Sequence, residues 1–137
     1  MNVEILRQRT IIAILWLVWA MGMTVFILIR MLEPGSISEI ISGEFDGIVL
    51  SEGSLLVTSS WWFACWILAY LTMTIRVSIS RWMNIVFGGL AAATMVMGLV
   101  TRTSNGHATA MLVDYAIALI ASGLIVWHAW KLRDKEA

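Results

Sequence analysis

Two histidines, one cysteine and one acid inside an apolar stretch are the residues best equipped for chemistry, and their spacing keeps them apart. His107 falls in a polar loop segment and His128 at the far end of the apolar run that follows, about 30 Å away if that run crosses a bilayer. They cannot ligate one iron. The chain has no H-x-x-x-H pair and no E-x-x-H, so neither a helical metal site nor a di-iron site is expected. The lone Cys65 excludes an internal disulfide, a CxxC redox pair and a cysteine-rich cluster. Ser59, Ser60 and Ser122 have no histidine at their depth except His128, so a nucleophilic triad is not expected either. These readings predict no cofactor, no metal and no catalytic residue, hence a non-enzymatic protein. Asp114, together with Arg102 and Arg30, remains as the candidate polar cluster.

The elements that must position these residues follow from composition. Of 137 residues, 60% are hydrophobic and 13% charged, too apolar a balance for a water-soluble domain of this length. Nine basic and nine acidic residues cancel, and no basic stripe appears, so nucleic acid is not expected as a partner. The expected partner is the lipid bilayer. Charges bracket three spans directly: twenty uncharged residues run from Thr10 to Ile29, twenty-three from Gly53 to Ile75 and twenty from Trp82 to Thr101. Each matches the ~30 Å hydrocarbon thickness at ~1.5 Å per residue. Tyr115 to Trp130 is only sixteen residues, so the fourth span must start earlier and take Asp114 inside it. The expected spans are about 10–31, 53–75, 82–101 and 108–131, in a single domain over 1–137.

Arg7, Arg9, Arg76, Arg81, Lys131, Arg133 and Lys135 fall on one side of these spans, and only Arg30 and Arg102 border the other. The positive-inside rule therefore places both termini in the cytoplasm. Short connections predict an all-α, antiparallel up-down bundle of four transmembrane helices. In the longer first loop, Ser36 and Glu39 have the spacing of a capping box. That predicts a short amphipathic helix from about Ile37 to Ser42, with Ile37, Ile40 and Ile41 on one face.

Bundles in lipid depend on small residues and inward polar groups. Asn84, Gly88, Ala91, Met95, Gly98 and Arg102 share one line on the third span, and Asp114, Ala118, Ala121, Ile125 and His128 one on the fourth. Laid antiparallel, these lines bring Arg102 to Asp114 at the outer end and Asn84 to His128 at the inner end. Trp82, Trp127 and Trp130 fit an interfacial belt. Trp61, Trp62 and Trp66 lie deeper, with Trp16 and Trp19. They are read either as packing, within the bundle or against another protomer, or as an aromatic wall for a ligand.

The chain resembles a family of small bacterial four-helix integral membrane proteins of unknown function. The likeness rests on Leu15-Trp16, on EPGSISEIISGE (Glu33 to Glu44) followed by SEGSLL (Ser51 to Leu56), on RWMNIVFG (Arg81 to Gly88) and on VWHAWK (Val126 to Lys131). It implies a multi-pass protein of the bacterial cytoplasmic membrane and supplies no catalytic residue. Members of that family also carry acids in the first two helices, where this chain has none; Asp114 is the acid it retains. Two functions are expected from these features. One is a module that self-associates or serves as an accessory subunit of a larger membrane assembly. The other is a carrier or binding protein for a small lipophilic or cationic ligand, using Asp114 and a cavity bounded by Trp62, Trp66 and the third and fourth spans.

Overall fold

A computed structural model describes residues 3–45, 48–104 and 109–132, with side chains throughout except over 101–111. Its helices are α1 (Val3–Met31), α2 (Ser36–Ile41), α3 (Glu52–Thr74), α4 (Val77–Ser104) and α5 (Thr109–Lys131). Four of them, all but α2, are long and apolar enough to cross a membrane, which makes this a multi-pass membrane protein by length and composition. The expected spans fall inside these helices, except for a few flanking residues. Two helices run further: α1 starts at Val3 and α4 at Val77, because the helical hydrogen-bond ladder continues into the charged flanks.

The segment between α1 and α3 differs most from expectation. Its short helix is there, but the capping box is not: the residue before α2 is Gly35, at φ 93, with no side-chain cap. Glycine adopts that left-handed backbone without strain. Ser36 and Glu39 turn to Arg30 instead. Ile37 and Ile41 are exposed, which suits a face laid on the membrane surface and not one that caps the bundle. A small hairpin follows, β1 (Glu44–Phe45) against β2 (Ile48–Val49), with Glu44 opposite Val49 and Phe45 opposite Ile48. Its signal was in the sequence as Asp46-Gly47, a favoured two-residue hairpin turn; those two residues lie outside the described ones. The true capping box closes the N-terminus of α3, where Ser51 and Ser54 exchange side chain and backbone bonds at 3.1 and 2.9 Å.

Packing sets α1 in the middle. It lies along both α3 and α5, α5 lies along α4, and α3 meets α4 only sparsely. Contacting residues pair in opposite chain directions. Arg9 reaches Thr72 while Trp19 meets Trp61, Gln8 reaches His128 while Phe26 meets Tyr115, and Gly88 faces Ile125 while Gly98 faces Tyr115. The expected lines of small residues do form the α4–α5 seam: Ala91, Met95, Ala121 and Ile125 are buried. A β-carbon on Gly98 would collide with the Tyr115 ring, and one on Gly88 would come within 3.0 Å of Val126. Only glycine allows this approach, and in lipid close packing supplies the attraction that the hydrophobic effect supplies in water.

Candidate functional site

At the end of the bundle near the start of α1, buried polar groups join the helices. Asn84 of α4 is fully buried. Its Oδ1 accepts from Trp16 Nε1 at 2.7 Å, and its amide donates to the Ser80 carbonyl at 2.7 Å and to Thr72 Oγ1 at 3.0 Å. Thr72 belongs to α3 and Trp16 to α1, so this one amide links three helices. Arg9, also buried, donates to the carbonyls of Thr72 at 2.5 Å and Ile75 at 2.6 Å. A helix leaves its last carbonyls without internal partners, and a guanidinium there satisfies them with favourable charge. On the α5 side, His128 Nδ1 lies 2.6 Å from Gln8 Oε1. That oxygen can only accept, so Nδ1 carries the proton. Gln8 in turn donates to Glu4 at 2.9 Å.

The expected Asn84–His128 pair is therefore corrected: each has a different partner, both supplied by α1. With α1 central, Trp16 and Gln8 reach the two residues, and an antiparallel α4–α5 alignment considered without α1 misassigns them. Sequence reading also missed Arg9, Thr72 and Ser80. Arg9 was legible only as the charge bounding a span.

At the opposite end Arg30, buried with 6% exposed, is held by its own neighbourhood. Its guanidinium bonds Glu33 at 3.1 Å, Glu39 at 2.7 Å and the Ser36 hydroxyl, and it lies 5.9 Å from the Phe45 ring centre. Ser36 Oγ donates back to the Arg30 carbonyl at 2.6 Å. These bonds pin α2 to the end of α1. Arg30 does not join Asp114, since Glu33 and Glu39 are only three and nine residues along and close short loops. The expected Arg102 partner lies outside the described side chains. Among the described residues, half-buried Asp114 has no hydrogen bond or ion pair.

The deep aromatics do not form one wall. Trp61 packs edge-on against Trp19 with ring centres 6.0 Å apart, and Trp62 donates to the Ala20 carbonyl at 3.3 Å. Trp66 is 55% exposed, so it walls no interior cavity. The cleft lies instead between α1 and α5, lined by Trp19, Gly22, Phe26, Asp114, Tyr115 and Ala118 among others. Cys65 is fully buried in the core. Arg81 lies over Trp82 at 5.0 Å and Trp130 at 5.9 Å, and Lys131 over Trp127 at 4.9 Å, pairing cations with the three expected belt tryptophans. No group of three or more potential metal ligands occurs among the described residues. No family model matches the chain, and neither a curated protein nor a solved structure does.

Proposed function

We propose that this chain is a non-enzymatic module of a bacterial cytoplasmic membrane, an up-down bundle with both termini in the cytoplasm. It associates through the free side of α3 with a second copy or with a larger membrane partner. The observation that carries this reading is the one-sidedness of α3. Trp61, Cys65, Leu68 and Thr72 form a helical stripe turned to α1. Ser59, Phe63, Trp66 and Tyr70 repeat the same spacing on the opposite side, and all are exposed. A span that packs mainly on one neighbour and presents a hydroxyl and three aromatic rings offers the polar and aromatic groups that helix–helix contacts in lipid use. The opposed residue pairs across α1–α3, α1–α5 and α4–α5 support the up-down arrangement, and the distribution of basic residues supports the orientation.

A cysteine at Ser59, in a Cys65→Ala background, tests the association. Oxidative crosslinking in native membranes is expected to give a dimer or a defined heterocomplex. A chain that stays uncrosslinked and purifies as a monomer without a partner would overturn the proposal. Orientation is tested by labelling intact cells: Ser42→Cys is expected to react from outside and Ser78→Cys is not, both positions being exposed.

A further inference from the structure

Two polar groups without a partner among the described residues line the cleft between α1 and α5. Asp114 has no partner among the described residues. Trp19 is 2% exposed, and its Nε1 has no acceptor. A carboxylate and an indole N–H out of water each carry a cost unless something meets them. Phe26 rests on Tyr115 with ring centres 5.7 Å apart, which sets Asp114 about level with Phe26. Trp19 lies seven residues further along α1, about 10 Å deeper.

Between these groups the wall is apolar and narrow. The free volume is about 420 Å³ with the open mouth included. A β-carbon on Gly22 would meet nothing within 4 Å, so the slot is open there. Val18 and Ile117, 47% and 54% exposed, border it and leave a sideways approach from the surrounding lipid. One carboxylate among hydrocarbon walls does not supply the six or more oxygens that calcium requires. A plain hydrocarbon tail would leave both polar groups unmet.

We infer that this cleft binds an aliphatic ammonium compound. The ammonium group sits at Asp114, the chain fills the slot past Gly22, and Trp19 Nε1 donates to an acceptor about 10 Å along the chain. The site uses α1 and α5 and leaves the exposed side of α3 free, so this inference and the proposed association can fail separately.

The test titrates the full-length, 15N-tryptophan-labelled protein in uncharged micelles and follows the Trp19 indole signal, assigned by its absence in Trp19→Phe. Octylammonium is expected to shift that signal saturably, octanol at least about tenfold more weakly. Methyl 8-aminooctanoate, which adds a carbonyl at the required reach, is expected to bind more tightly than octylammonium, the gain vanishing in Trp19→Phe when binding is read by calorimetry. Asp114→Asn is expected to remove the preference for ammonium over alcohol. Gly22→Leu, which fills the slot without touching Asp114, is expected to abolish binding while the protein remains folded. Displacement of octylammonium by an ethanolamine phospholipid, but not by a glycerol phospholipid, would identify a lipid headgroup as the source of the amine; displacement by neither identifies a free amine. Equal affinity for octanol and octylammonium, or binding unchanged by Asp114→Asn or Gly22→Leu, would overturn the inference.

Discussion

The two ends of the bundle satisfy their buried polar groups in opposite ways. At the end near the start of α1, Arg9, Trp16, Thr72 and Asn84 bond across helices, between residues 12 to 68 apart in sequence. At the other end, among the described residues, Arg30 bonds Glu33, Ser36 and Glu39, within ten residues of chain. The first arrangement holds helices to one another; the second holds a loop to the end of one helix. The consequence lies in what remains. The cross-linked end leaves Asn84, Thr72 and Arg9 with partners, whereas toward the locally satisfied end Asp114 has none among the described residues, and there α1 and α5 part to form a cleft.

If that contrast is right, the largest loss should come from the amide that joins three helices. Asn84→Leu fits an apolar side chain of similar size but strands the Trp16 indole N–H and removes the bonds to Thr72 and Ser80. Unfolding titrations in mixed micelles are expected to show a loss of about 3 kcal/mol, two interhelical bonds at the modest value each has in lipid, the bond to Ser80 within α4, and one orphaned donor. Arg9→Met comes next, at about 2 kcal/mol, because two terminal carbonyls of α3 lose their donor while the stem still packs. A loss under about 0.5 kcal/mol for either would show that this end is not what ties the bundle.

Glycines sharpen the same comparison. Gly98→Ala is expected to cost about 1–3 kcal/mol, since its new methyl meets the Tyr115 ring in the α4–α5 seam. Gly22→Ala places a methyl in open space and is expected to stabilise by up to about 1 kcal/mol through helix propensity. Paired thermal melts of the two variants check the sign of each. A seam as loose as the cleft would give them the same sign.

Ser36→Ala probes the locally satisfied end. It removes both bonds between the Ser36 hydroxyl and Arg30, one to the guanidinium and one to the carbonyl, while Glu33 and Glu39 remain, so global stability should fall by about 1 kcal/mol. Hydrogen exchange should instead rise in α2 alone. A fall as large as that of Asn84→Leu would mean that the Arg30 cluster also fastens helices to one another.

Much of this architecture was legible because charge is so sparse: Arg9, Arg30, Glu52, Arg76, Arg81 and Arg102 bracket the spans with no help from periodicity. The small-residue line through Gly88, Ala91, Met95 and Gly98 was legible too, since a helical period places those residues on one face whatever they touch. Which helix lies in the centre was not. A short connection at Ile75 and Arg76 suggests that α3 and α4 pack along their length, yet both helices pack mainly elsewhere, α3 on α1 and α4 on α5. Loop length limits the distance between helix ends and says nothing of the faces beyond. Ser36 and Glu39 illustrate the same limit at short range. Their spacing suits a capping box, but a buried guanidinium six and nine residues back takes both side chains. Trp19 was legible as a deep aromatic, but its unmet N–H was not, for an indole without an acceptor is a property of its surroundings.

The smallest expected effect decides the pairing of His128. Two alignments compete for its partner, Asn84 from the α4 and α5 faces alone and Gln8 from the packed bundle. Single substitutions cannot separate them, because His128→Ala removes packing as well as a bond. A double-mutant cycle can: residues that share a bond are non-additive, and residues that do not are additive to within a few tenths of a kcal/mol. Gln8→Ala with His128→Ala is expected to show a coupling of about 0.6 kcal/mol, the average for a side-chain hydrogen bond between helices in a membrane. Asn84→Ala with His128→Ala should show none, since the bonds of Asn84 go to Trp16, Thr72 and Ser80. Coupling between Asn84 and His128 with none to Gln8 would restore the simpler alignment. It would also take α1 from between the two residues, and with it the cross-helix network that distinguishes this end of the molecule from the other.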